Sequence, residues 1–309
     1  GAHYTGEDDI ILIVEPVLMA PLRKEWEEIK LSVSDLAAHR LNLITTGKNE
    51  NEKKKVIRER EKITSAIQDI LNGFLNKIGN IKVLDPACGS ANFLYVALRL
   101  LLDLQNEVLN FSDEMGAGRP YITVSPAQLY GIETNEYAHE LAQMTIQIGY
   151  IQWLRDNGYG LPSEPILKKT NNIVNMDAIL DSGVQELAPA GATAPTGQVS
   201  RRTPEEPEWP AVDVIIGNPP FLGGSKIRAE LGDEYVNALF KLYEGRVPAF
   251  ADLVCYWFEK SRAMIESGKV KRVGLLATQG IRGGVNRKVL ERIKETGDIF
   301  WAQSDRVWI

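Results

Sequence analysis

Cysteine, histidine, basic charge and long apolar runs are all scarce in this 309-residue chain, and each shortage removes a class of protein. Cys88 and Cys255 stand far apart among apolar or glycine-rich neighbours, so neither a disulfide scaffold nor a cysteine-built zinc site fits, and a reducing compartment suits the chain best. Histidines occur only at 3, 39 and 139, a spacing that matches no metal motif and argues against a metal-dependent hydrolase. No run approaches the roughly 20 apolar residues that cross a bilayer. The opening GAHYTGEDDI lacks the basic start and apolar stretch of a signal peptide, so a cytoplasmic protein with no membrane partner is expected. Lys and Arg number 35 against 41 Asp and Glu, for a net charge of −6, which weighs against a wholesale nucleic-acid binder without excluding a basic cleft. What remains is 44% hydrophobic and 25% charged, the composition of a globular protein with a sizeable core.

The apolar positions are periodic. From Trp26 to about residue 76, Leu31, Leu36, Leu41, Ile57, Ile63, Ile67, Ile70, Leu71 and Phe74 recur at helical spacing, with the charged stretch GKNENEKKK read as a turn between two helices. IKVLD at 81–85 reads as a strand ending at an acidic residue and a glycine-bearing turn, and an apolar helix over 93–109 follows: the opening of a βαβ unit. QLYGIET, ending at Glu133, NNIVNMD, ending at Asp177, and VDVIIGNPPFLGG, whose strand stops at Asn218, repeat the pattern. Helices are expected at 137–154, 249–266 and 286–295, and another strand at 272–278. FSDEMGAGRPYITVSP reads as a long loop, and 187–210, rich in Pro, Ala, Gly and Thr, as a mobile surface loop. The alternation predicts a doubly wound α/β sheet with ligands beyond the C-terminal strand ends. GDIFWAQSDRVWI starts like a further strand, so the chain is expected to end inside its own sheet or just before another domain.

Four strand ends carry polar residues: Asp85, Glu133, Asp177 and Asn218. DPACGSANF at 85–93 is a tight turn in which Gly89 lets the backbone approach a ligand and N–H groups point toward a negative or polar group. It is neither a P-loop nor the GxGxxG fingerprint. Glu133 has the acceptor-only chemistry to hold a ribose diol, although either acid alone also suits a helix cap or a solvent contact. Together they describe a nucleoside-bearing cofactor. Asn218-Pro219-Pro220-Phe221 presents an amide from a rigid turn, because two prolines fix φ and the residue before them is driven out of helical geometry. The Asn218 amide oxygen and the Pro219 carbonyl can accept the two hydrogens of an exocyclic amine, and Phe221 offers a face on which its base stacks. A diproline turn capped by a core phenylalanine is the plainer alternative.

DPACGSANFL, LYGIET, NMDA and IIGNPPF together resemble the N6-adenine DNA methyltransferases that use S-adenosylmethionine, in the order with the cofactor motif before the catalytic one. GAHYT followed by IVEPVL is similar to the additional cofactor-binding segment of that group, and IQIGYIQW, GNPPFLGG and LLATQGIRGG are similar to the large single-chain restriction-modification enzymes of the MmeI type. The resemblance spans essentially the whole chain. It implies a class I S-adenosylmethionine methyltransferase fold, Rossmann-like, with an N-terminal cofactor-contacting segment and helices over 1–76 and the methyltransferase catalytic domain over 77–309. It also implies direct methylation of adenine N6 in duplex DNA, with nuclease and target-recognition domains outside this chain, in a bacterium or archaeon. Carried over by position, His3, Tyr4 and Thr5 line the methionine end of the cofactor. Asp85, Ala87, Cys88 and Gly89 cradle its methionine and sugar, Glu133 binds the ribose hydroxyls and Asp177 the adenine amine. Asn218, Pro219, Pro220 and Phe221 form the catalytic turn, and Cys88 is a small packing residue, since nothing adjacent supplies a base.

One position departs from the family, which ordinarily has glycine where this chain has Ala91. If φ is positive there, alanine costs about 1 kcal/mol or more; as the first helical residue it costs nothing, and that placement is expected. Lys226, Arg228, Arg282 and Arg287, which follow the loops after Asn218 and Thr278, are candidates for phosphate contact or members of a solvated face. Because the NPPF chemistry fits any planar amide or amine, methylation of a protein glutamine or an RNA base stands as an alternative, as does an inactive scaffold with the methyltransferase fold.

Overall fold

The structure, a computed structural model, describes residues 5–44, 49–160, 171–183 and 203–304. Five short strands form one parallel sheet: β1 (Val83–Asp85), β2 (Leu129–Glu133), β3 (Ile173–Asn175), β4 (Val214–Gly217) and β5 (Arg272–Leu275), in the spatial order β3-β2-β1-β4-β5. Parallel neighbours need crossover connections, and helices on both faces supply them. Side chains alternate between the two faces with the two-residue period of the pleat: Val83, Val214 and Ile216 enter one apolar cluster, Leu84 and Ile215 the other. The nearly unbroken apolar run of β4 is therefore that of a strand covered on both sides.

Helices α1 (Glu7–Val14), α2 (Ala20–Asn42), α3 (Glu50–Asn80), α4 (Asn92–Glu114) and α5 (Glu136–Asp156) build the first cluster. The second is built by α6 (Ile227–Leu231), α7 (Asp233–Leu242), α8 (Val254–Glu266) and α9 (Arg287–Thr296). Helix begins at Glu7, well before the Trp26 expected from periodicity. Pro16 and Pro21 look like breaks in the sequence, yet Pro16 sits in a π-helical turn (Glu15–Met19) and Pro21 in the first turn of α2, where a missing N–H is tolerated. This helical arm lies on β5 because Gly274 leaves room: a Cβ there would stand 2.6 Å from Val17 Cγ2 and 2.8 Å from Ile13 Cγ2.

Several boundaries differ from the sequence reading. Part of the charged turn is helix, since Asn49 accepts the Glu52 N–H at 3.0 Å and Glu52 accepts the Asn49 N–H at 3.3 Å, a capping box that starts α3. Helices α6 and α7 were not anticipated, and the helix expected from 249 begins at Val254. No strand forms over 298–304, and 305–309 lie outside the described residues. Of the expected mobile loop, 187–202 lie outside them too, whereas its end is fixed: Glu205 pairs with Asp181 and Trp209 is buried. No helix among the described residues is long and apolar enough to cross a membrane.

Candidate active site

Asp85 is the last residue of β1 and Glu133 of β2, Asn218 follows β4, and Asp177 comes two residues after β3. Register sets Asp85 opposite Gly131 and Glu133 opposite Asn175, so the acidic strand ends share one edge of the sheet. The turn after β1 spends its N–H groups inside the protein. Ala87 donates to Asp85 Oδ1 at 3.0 Å, Gly89 to Glu133 Oε2 at 2.9 Å and Cys88 to the Ile132 carbonyl at 3.0 Å. The negative or polar groups expected opposite these N–H groups are the protein's own, two carboxylates and a carbonyl, and the turn is acidic. Such a site suits a cationic ligand bearing hydroxyl donors and disfavours a pyrophosphate.

Asp85 is 1% exposed, and burial pushes its carboxyl up to about 7, with the Ala87 N–H working against this and the Glu133 charge adding to it. Gly217 makes space for that carboxylate, since a Cβ there would stand 2.5 Å from Asp85 Oδ1. Gly131 does the same for Cys88, with 2.8 Å from a built Cβ to Sγ. Burial, then the charges of Asp85 and Glu133, push the Cys88 thiol well above its ordinary range, which suits packing and not nucleophilic attack. Glu133 accepts one N–H on each oxygen, from Gly89 on Oε2 and from Asn135 on Oε1 at 2.8 Å. Oε2 keeps an acceptor site, while Oε1 also takes the Thr134 hydroxyl at a long 3.5 Å, a rotatable donor that an incoming hydroxyl can displace; a vicinal diol fits this pattern. Asp177 Oδ1 accepts the N–H groups of Ile179 and Leu180 at 2.8 and 3.1 Å, and its Oδ2 accepts the Tyr235 hydroxyl at 2.8 Å.

Asn218 Nδ2 donates to Thr5 Oγ1 at 3.0 Å, which fixes the amide plane, while Oδ1 is buried with no partner among the described residues. Thr5 is buried just ahead of α1, so the helical arm carries it to the Asn218 turn; His3 and Tyr4 lie outside the described residues. Pro219 is buried, Pro220 exposed and Phe221 half-buried against the second cluster. Two polar residues missed in the sequence brace the loop that follows. Asp252 Oδ1 accepts the Gly224 N–H at 3.0 Å, Asn286 Oδ1 accepts the Asp252 N–H at 2.8 Å, and Asn286 Nδ2 donates to the Gly280 carbonyl at 3.1 Å. They join the loop after β4 to the loop after β5, and their signal in the sequence is a lone polar residue beside glycine-rich turns.

Ala91 is not the first helical residue. It adopts φ 69° and ψ 29° ahead of α4, a left-handed geometry that costs alanine about 1–2 kcal/mol. Its fully buried methyl returns about 0.8 kcal/mol, which makes alanine tolerable there. Among the candidate phosphate contacts, Arg228 is paired with Asp233 at 2.8 Å and Arg287 with Glu291 at 3.0 Å, while Lys226 is exposed.

The chain is 24% identical over 229 residues to DNA methyltransferase A of Bacillus subtilis (strain 168), a match that covers 71% of this chain and 23% of that protein. It superposes on the Type IIL restriction-modification enzyme MmeI, solved in complex with DNA, with a TM-score of 0.64 and 22% identity over 94% of this chain and 33% of that one, which shows a shared fold. The chain thus spans about a quarter to a third of the length of these relatives. The family described as MmeI, DNA-methyltransferase domain, matches residues 52–309, and the chain belongs to it.

Proposed function

We propose that the chain binds S-adenosylmethionine at the ends of β1, β2 and β3 and methylates N6 of an adenine flipped out of duplex DNA, as one domain of a longer cytoplasmic restriction-modification enzyme of a bacterium or archaeon. The Asn218 amide carries the reading: a buried oxygen without a partner, held in plane by Thr5 at the mouth of β4. A buried acceptor left unpaired costs about 1–3 kcal/mol, and an incoming amine relieves that cost. Asn218 Oδ1 and the Pro219 carbonyl take the two hydrogens of the amine, orient its lone pair and offset the positive charge that develops on nitrogen. Phe221 packs against the base.

The acidic edge fits the cofactor, which supplies a methyl group on a positively charged sulfur. Glu133 offers the ribose hydroxyls a free acceptor site on Oε2 and, on Oε1, the site that the Thr134 hydroxyl holds only at 3.5 Å. Asp85, its carboxyl raised by burial, gains from a nearby positive charge. Asp177 accepts from the adenine amine, and Ala87, Cys88 and Gly89 shape the wall while their N–H groups hold the acidic edge in place. Net charge of −6 implies that nuclease and target-recognition domains elsewhere in the longer protein supply much of the DNA contact. Nucleoside analysis of DNA from cells expressing the full-length protein tests the reaction. N6-methyladenine is expected, and it disappears with Asn218→Ala; N4-methylcytosine in its place, or N6-methyladenine that survives the substitution, contradicts the reading.

A further inference from the structure

The turn after β3 is clamped by three aromatic side chains from other parts of the chain. Trp209 Nε1 donates to the Ala178 carbonyl at 2.8 Å and the Tyr243 hydroxyl to the Ile179 carbonyl at 3.0 Å, while the Tyr235 hydroxyl reaches Asp177 Oδ2 at 2.8 Å. Trp209 and Tyr243 hold main chain; Tyr235, in the first turn of α7, holds the acidic side chain itself. A carboxylate has about four acceptor sites. The Ile179 and Leu180 N–H groups both sit on Oδ1, and Tyr235 takes one site on Oδ2, so a single site on Oδ2 remains. Without Tyr235 the two bonds on Oδ1 would leave Oδ2 free to swing about them.

We infer that Tyr235 is a positioning residue that aims the last free acceptor site of Asp177 at the 6-amino group of the cofactor's adenine, and so selects adenine over a purine carrying a carbonyl at that place. This rests on the cofactor reading above and adds to it the device by which the base is chosen. Burial first, and then the charge of Asp177, pushes the Tyr235 phenol far above its ordinary range, so it stays a donor. An amine completes the set on Oδ2, whereas a carbonyl oxygen meets a second acceptor there with no hydrogen between them.

Calorimetric titration of the chain with S-adenosylhomocysteine and with its inosine counterpart, in which oxygen replaces the 6-amino group, tests the inference. The unaltered chain should prefer the adenosine ligand by about a hundredfold, and Tyr235→Phe should reduce the preference to about tenfold or less. The loss should come from the adenosine ligand alone, with inosine-ligand affinity and melting temperature nearly unchanged, because phenylalanine keeps the ring packed. Equal weakening of both ligands, as a purely structural role predicts, or an unaltered preference, overturns it. Asp177→Ala separates the levels of the argument. If it leaves the preference intact, the adenine contact fails and the inference with it, although the loss of binding expected from Asp85→Ala would still support a cofactor pocket. If the unaltered chain binds neither ligand, the cofactor reading itself is overturned.

Discussion

Asp85 sets the electrostatics of the site, and its behaviour with pH has a definite sign. Its carboxyl is raised to about 7 from an ordinary 3.8, so the folded state binds a proton more tightly than the unfolded chain does. Its contribution to stability is present below about pH 4 and is lost as pH rises to about 7. Denaturant midpoints of the ligand-free chain should therefore carry a component that falls over this window, and Asp85→Asn should remove it. A cationic ligand favours the ionised form, so S-adenosylmethionine should bind more tightly as pH rises toward 7, by up to about tenfold per pH unit, and the Asn variant should lose this gain. At this scale the sequence was legible where chemistry is concentrated in short motifs: Asp85, Glu133, Asp177 and Asn218 all stand at strand ends on one edge. Thr5 against Asn218 and Tyr235 against Asp177 were not legible as pairs, since they meet across 213 and 58 residues and nothing local announces either partner.

The arm made by α1 and its π turn is the element through which packing reaches the site. Ile13 and Val17 close over Gly274 on β5, and the same arm carries Thr5 to Asn218. Gly274→Ala puts a methyl into these two side chains and should cost about 1–3 kcal/mol of stability. By lifting the arm, which carries Thr5 away from Asn218, it should also lower methyl-transfer turnover; a loss confined to stability, with turnover intact, would separate the arm from the site. Strand β4 was readable because a fully covered parallel strand is a continuous apolar run. The arm was hidden by Pro16 and Pro21, which the π turn and the first turn of α2 absorb. Helix α7 was hidden for another reason: DEYVNALFKL is short, and it follows the glycine at 232 that separates it from α6.

The whole molecule is a parallel sheet in the order β3-β2-β1-β4-β5, closed on both faces, with its polar residues at one edge. The strand order reverses between β1 and β4, and open α/β sheets bind ligands at such a point. Asp85 ends one of those two strands and Asn218 follows the other, which brings the proposed cofactor and the target amine side by side. The alternating pattern made this architecture readable in outline, whereas the fastening of the 203–210 segment to Asp181 and Ala178 depends on distant partners that periodicity does not encode. The most direct test of the account is a calorimetric titration of the chain with S-adenosylmethionine, repeated with Glu133→Gln, which keeps the side chain's size and removes one of its two acceptors. Saturable one-to-one binding that Glu133→Gln weakens by about tenfold or more is the predicted result; no binding, or binding indifferent to that change, would contradict it.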